Sequence, residues 1–249
     1  MSPFHWQSAS VNGYLAHKQR LLPASQPAGA VQAVRDVVAL HATEPTGPYL
    51  SLWARVAGFR RPALEEALYD RRELARVLCI RTTLHVVPGD EVPFFFQAYV
   101  ERRSPAERRG TEALLVQAGL CGQEEAGDLL QALHRRVLDV LAQKGPSTVR
   151  AIGQAVPELK AQVRHNVGKS YAGQFSVGSR LAPGMCALGL LIRARPRGTW
   201  RSNLHTYAAL PDWLPGVDLE AVTPQKARAW LARRYLSAFG PATPGDVQW

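Results

Sequence analysis

Residues 124–157 read EEAGDLLQALHRRVLDVLAQKGPSTVRAIGQAVP. Leu130, Leu133, Val137, Val140 and Leu141 recur at helical spacing, which predicts an amphipathic helix between Glu124 and Gln143. Gly145-Pro146 breaks it, and Ser147 or Thr148 can cap a second helix that runs until Pro157. A glycine-containing break between two helices is what a helix-turn-helix requires. Further on, Leu181 to Leu191 is apolar, and Leu190-Leu191-Ile192-Arg193-Ala194 leads into Arg195-Pro196-Arg197-Gly198 and then Thr199-Trp200-Arg201. We expect a hairpin there, with a basic tip at 195–198. Arg193, Arg195 and Arg197 are two apart, so on extended backbone they would point to the same side. Helices closed by a hairpin are the parts of a winged helix.

Working outward, the first half repeats the order. Val31, Val34, Val38 and His41 lie on one face of a helix that follows Pro27. Pro45 disfavours helical geometry at Glu44, so this helix should end near His41 to Thr43. Further helices are expected over Tyr49–Val56 and from Pro62 to Tyr69. Val77-Leu78-Cys79-Ile80 and Thr82-Thr83-Leu84-His85-Val86-Val87, β-branched and apolar, should be strands ending at Pro88. Near the other end, Ala227, Trp230, Leu231 and Tyr235 are helically spaced. Gly240-Pro241-Ala242-Thr243 then matches Gly145-Pro146-Ser147-Thr148 except for one Ser/Ala exchange, 95 residues away. An amphipathic helix precedes both, which points to an internal repeat.

The expected fold is therefore mainly α with small β-hairpin wings (α+β), in tandem winged-helix domains. The expected boundaries are 1–120, 121–215 with the basic wing, and 216–249 as the start of a third. The end at Trp249 falls where that third copy would begin its second helix, so a truncated chain is expected.

The 249 residues hold 30 Lys and Arg against 20 Asp and Glu, a formal net charge of +10. An ordinary apolar share of 46% excludes a disordered or collagen-like chain. The charge is concentrated. Residues 144–209 carry ten basic side chains (Lys144, Arg150, Lys160, Arg164, Lys169, Arg180, Arg193, Arg195, Arg197 and Arg201) and one acid, Glu158. A phosphate backbone is the most economical partner for such a segment, so double-stranded DNA is expected there. An anionic membrane fits less well, because no basic amphipathic helix with a broad apolar face is present. No run approaches eighteen apolar residues, and the N-terminus lacks a signal pattern. Cys79, Cys121 and Cys186 are widely spaced and form no C-x-x-C pair, so we expect plain buried thiols, no metal and no cofactor. A monomer in a reducing cytoplasm, at the nucleoid, is the matching expectation.

Four stretches carry a resemblance: Leu40-His41-Ala42-Thr43-Glu44-Pro45, Tyr49-Leu50-Ser51-Leu52-Trp53-Ala54-Arg55, Arg81-Thr82-Thr83-Leu84-His85-Val86-Val87-Pro88 and Phe239-Gly240-Pro241-Ala242-Thr243. In order and spacing they resemble the bacterial winged-helix family that contains the AlkZ and YcaQ DNA glycosylases. The likeness runs from about residue 10 to the C-terminus. It implies tandem winged helices, followed in longer members by a small β-barrel that is missing here. It also implies excision of alkylated or crosslinked purine bases. The family's glycosylases carry Gln-x-Gln or Gln-x-Asp as their catalytic motif, and the matching positions here are His41 and Thr43. An N7-alkylated purine is already cationic and leaves readily. Its excision needs mainly a placed water and support for the oxocarbenium ion. His41 could take a proton from that water, Thr43 could hold it, and the adjacent Glu44 could do either.

Plainer roles stand beside these. His41 continues an apolar stripe and can be a core histidine, Thr43 can bond the backbone at a helix end, and His85 reads as a packing residue. If the first helix continued through them, His41 and Thr43 could converge only where it unwinds. Trp53, Phe94, Phe95 and Phe96 read as core. Trp200 could stack on a base or anchor the hairpin. Arg180, Arg193, Arg195, Arg197 and Arg201 are the candidate DNA contacts. Phosphate contacts carry no sequence information, so they fit a glycosylase and equally a non-enzymatic DNA-binding regulator on the same scaffold. A protein with an acidic partner is the third reading.

Overall fold

Gly145 takes a left-handed conformation (φ 69°) and stops the helix that the leucine stripe predicts, α7 (Ala126–Lys144). A computed structural model describes residues 8–165 and 173–248. Its chain separates into two compact units. One comprises Met1–Arg76, Thr83–Ala98 and Asp218–Trp249; the other comprises Val77–Thr82 and Tyr99–Val217.

In the second unit, α6 (Val100–Gln117) and α7 are followed by α8 (Val149–Ala155), β4 (Gln162–His165), β5 (Gly173–Ser176) and α9 (Val177–Ala187). Then come β6 (Leu191–Arg193), β7 (Tyr207–Ala209) and α10 (Leu210–Trp213). The caps explain the breaks. Thr148 Oγ1 accepts from the Ala151 amide at 3.2 Å to start α8, and Ser176 Oγ accepts from the Ser179 amide to start α9. The α7 stripe is buried with Ile152, Val156, Leu159, Val177, Leu181, Met185 and Leu191 in one continuous core. β6 and β7 pair antiparallel, with Ile192 opposite Ala208. Ser147 then pairs with Tyr207 through reciprocal amide–carbonyl bonds of 3.0 and 2.8 Å. Helix, single-residue strand, helix, helix and hairpin make a winged helix, with the β4–β5 hairpin inserted between its second and third helices.

The first unit begins with α1 (Ser8–Lys18) and α2 (Ala30–Asp36). Next are β1 (Leu40–His41), α3 (Gly47–Trp53) and α4 (Arg61–Glu65), which continues as a π-helical turn over Glu66–Asp70. β2 (Leu74–Leu78), β3 (Leu84–Pro88) and α5 (Val92–Gln97) follow. Its sheet has the order β1-β3-β2, so the same helix–strand–helix–helix–hairpin topology recurs. α11 (Pro224–Phe239) and α12 (Pro244–Gln248) belong to this unit. Trp230 stacks on Phe94 at 4.6 Å and meets Phe95 edge-on at 5.4 Å, while the Lys18 ammonium donates to the Leu236 and Gly240 carbonyls at the end of α11. Arg35 bridges to Asp90 and Glu91 at 2.8 and 2.6 Å.

Three expectations need correction. The helix through Val31 and Val34 stops at Asp36, not near His41, because the buried Val38 turns left-handed (φ 74°) and His41 lies on a strand. Trp53 is not core: its short helix buries Pro48, Tyr49 and Leu52 and leaves Trp53 72% exposed. The hairpin is longer than expected, because Arg197 N donates to the Leu204 carbonyl. Its turn is closed by Ser202 N donating to Thr199 O, after Gly198 at φ 89°. Thr199-Trp200-Arg201 therefore form the tip, and the return strand is Tyr207–Ala209.

Candidate active site and nucleic-acid interface

The two-residue strand β1 exists because Leu40 and His41 pair with Val86 and His85 of β3, and Ala42 N extends the ladder by donating to the Leu84 carbonyl at 2.8 Å. Extended backbone alternates its side chains. Leu40 and Ala42 are buried while His41 and Thr43 are exposed. Residues 41 and 43 thus converge without any unwound helix: Thr43 Oγ1 lies 3.2 Å from His41 Nε2. Exposure also removes the reading of His41 as a core histidine. Glu44 follows on the exposed turn whose carbonyl accepts from Gly47 N at 3.1 Å.

His85 is the cross-strand partner of His41, a contact that no local pattern announces. Its ring meets that of His41 edge-on, centroids 5.4 Å apart. Burial holds its pKa below the usual imidazole range; the neighbouring His41 acts in the same direction, and the contact with the Thr83 carbonyl at 3.1 Å opposes both. Neutral His85 can donate Nδ1–H to that carbonyl, so its ring is a fixed wall against His41. Only the pairing register could have revealed this contact, and register is non-local. The exposure of Leu50 and Trp53 on α3 was hidden in the same way.

In the second unit, the arginines of the wing divide by position. Arg193, on β6, is half-buried and its guanidinium lies 3.0 Å from His205 Nε2. Arg195, Arg197 and Arg201 are exposed, and Trp200 is half-buried at the tip. Arg180 is exposed on α9 with its guanidinium 6.0 Å from the centre of the Phe175 ring. The segment's only acid, Glu158, bonds Arg136 of α7 at 2.6 Å, and that bond holds its carboxyl below the ordinary range. Glu158 is therefore neutralised from outside the segment. Lys169 falls outside the described residues.

The cysteines divide as well: Cys79 is buried and its thiol is pushed up to about 12 by desolvation, whereas Cys121 and Cys186 are half-buried. Among the described residues no three His, Cys, Asp or Glu side chains are grouped to hold a metal, and no helix is long and apolar enough to cross a membrane.

Two winged-helix units, one with a polar pair on its first strand and one with an arginine-bearing wing, define a tandem winged-helix protein. The AlkZ-like DNA glycosylase family model matches residues 34–249, and the chain belongs to that family. Its fold is similar to that of the Streptomyces sahachiroi DNA glycosylase AlkZ, with a TM-score of 0.67 at 16% identity over 96% of this chain. The chain spans 59% of the length of that protein. No curated protein sequence matches it.

Proposed function

We propose that this protein binds double-stranded DNA and hydrolyses the N-glycosidic bond of alkylated purines, including those in crosslinks. The observation that carries the reading is the His41–Thr43 pair: two exposed side chains 3.2 Å apart, at and just beyond β1, which the sequence resemblance matches to the family's catalytic motif. A threonine hydroxyl has one hydrogen to give and two lone pairs to receive. With Thr43 donating to His41 Nε2, its oxygen is left to accept from a water. As that water attacks C1′ its proton passes to Thr43, and the Thr43 proton passes to His41. The departing N7-alkylated base leaves neutral, and its electron pair stays on N9. Glu44 supports the positive sugar electrostatically. Arg195, Arg197, Arg201 and Arg180 hold phosphates, and Trp200 stands at the wing tip beside them.

The scaffold reading goes with it. In this reading 1–120 holds the first winged helix, 121–215 the second and 216–249 the start of a third, although α6 belongs to the second compact unit and α11 and α12 to the first. The sequence α11, Gly240-Pro241-Ala242-Thr243, α12 supports the last step, because it follows the order α7, Gly145-Pro146-Ser147-Thr148, α8. The protein acts as a cytoplasmic monomer at the nucleoid.

The test is release of free N7-methylguanine from methylated duplex DNA. His41→Ala and Thr43→Val should each slow release about a hundredfold, the lower range for lost acid–base assistance, and Thr43→Ser should keep most of it. Release by His41→Ala at the wild-type rate would remove His41 from the chemistry. Tight duplex binding with no release of any base would instead favour the non-enzymatic regulator.

A further inference from the structure

Leu50 and Trp53 are 61% and 72% exposed, more than any other large apolar side chain among the described residues. They stand three apart on α3, so they are neighbours on one face, while the buried side of the same helix carries Pro48, Tyr49 and Leu52. That face starts at the strand carrying His41. A methyl group on Gly47 would sit 3.1 Å from the His41 carbonyl oxygen, so the first turn of α3 lies against the strand's backbone. Six residues further along, at 1.5 Å each, Trp53 is about 9 Å along the helix axis.

The chain next to this helix is biased towards basic residues. Between Glu44 and Glu65 the chain holds Arg55, Arg60 and Arg61 and no acid. Arg55 is fixed on the helix by donating to the Ser51 carbonyl and hydroxyl at 3.0 and 2.9 Å, Arg60 is exposed, and Arg61 reaches Glu65 at 3.4 Å. An exposed indole and leucine on a helix whose first turn meets the His41 backbone, in a stretch whose only charges are arginines, match an unstacked base beside a site suited to sugar chemistry.

We infer that Trp53 is a stacking platform for a purine that has left the duplex, with Leu50 as the apolar wall between it and β1. The inference rests on the proposed DNA function. A base undergoing chemistry at its glycosidic bond must leave the stack, and an aromatic face accepts any base that does so. Trp53 is thus a positioning residue for the His41–Thr43 site.

Binding without catalysis tests it. The probe is an unmethylated duplex with one bulged adenine, compared with the fully paired duplex of the same sequence, in equilibrium titrations at constant salt. The wild type should prefer the bulged duplex about tenfold, as loss of one stacked base predicts. Trp53→Ala should abolish the preference while leaving paired-duplex affinity within twofold, and Trp53→Phe should retain most of it. No preference in the wild type, or the same preference in Trp53→Ala, would overturn the inference. Because the readout is binding to undamaged DNA, it can succeed where base release fails and fail where base release succeeds, so the two outcomes are told apart.

Discussion

Gly178→Ala sets two opposing effects against each other in the first turn of α9. Alanine favours a helix interior over glycine by about 1 kcal/mol. The added methyl, however, would meet Val149 Cγ1 at 2.7 Å, Leu159 Cβ at 3.1 Å and the Leu159 carbonyl oxygen at 3.2 Å. The carbonyl belongs to backbone and cannot rotate away. Val149, β-branched and at the start of α8, has essentially one rotamer in a helix. Overpacking of this kind costs about 1–3 kcal/mol, so the net effect should be a loss of about 1 kcal/mol. For a chain of this size that lowers Tm by about 2–4 °C. Thermal unfolding followed by circular dichroism, with hydrogen exchange of the α9 amides, reads both the size and the place of the effect. Val149→Ala combined with Gly178→Ala should be more stable than the sum of the single changes implies, because the closest clash is gone. A Gly178→Ala protein as stable as wild type, or more so, would refute the reasoning that close approach of α9 to α8 sets the packing of this helix-turn-helix.

Other outcomes follow from the same geometry. Replacing Arg195, Arg197 and Arg201 by alanine should reduce the log–log salt slope of duplex binding by about 3, near 0.9 per phosphate lost; an unchanged slope would move DNA away from the wing. Arg193→Ala should change that slope least, because its guanidinium faces His205. The pKa of His134 is lowered to about 4 by burial and then by Arg108. Since its folded pKa lies below the unfolded value near 6.5, the unfolded chain binds more protons between the two, and stability must fall as pH drops from about 6.5 to 4. Screening of the partly exposed ring leaves on the order of 1–2 kcal/mol. His134→Gln should flatten denaturation midpoints across that window, with His85 contributing the same sign below its own normal range. Thr43→Val and Thr43→Ser separate the hydroxyl from the methyl at the candidate site, as base release will report.

What was legible in the sequence and what was hidden follow from the range of the interactions involved. The α7 stripe, the Gly145 break and the Thr148 cap are set within one or two turns, and all three could be read directly. Val31, Val34, Val38 and His41 keep helical spacing too, yet Val38 turns left-handed and Leu40–His41 becomes a strand. Pairing with β3, more than forty residues away, decides that conformation. The hairpin differed for a similar reason: its apolar return strand Tyr207–Ala209 is held by Ser147 from the far side of two helices. Aromatic residues are usually buried, and Trp53 departs from that rule because a seven-residue helix has only one side to bury. His41 and Thr43 converge only because the alternation of an extended strand puts both on its exposed side, which their place in a motif does not announce.

That alternation has a consequence for how such a site can change over time. Ala42 is fixed by packing and by its amide bond to Leu84, whereas the two flanking side chains lie exposed and touch mainly each other and, for His41, the His85 ring. Positions 41 and 43 therefore form an interchangeable socket. Polar groups of different size and acidity can be exchanged there while the hydrophobic interior stays as it is. Under the proposed function, a histidine and a threonine at these positions mark freedom to retune the reaction without rebuilding the scaffold.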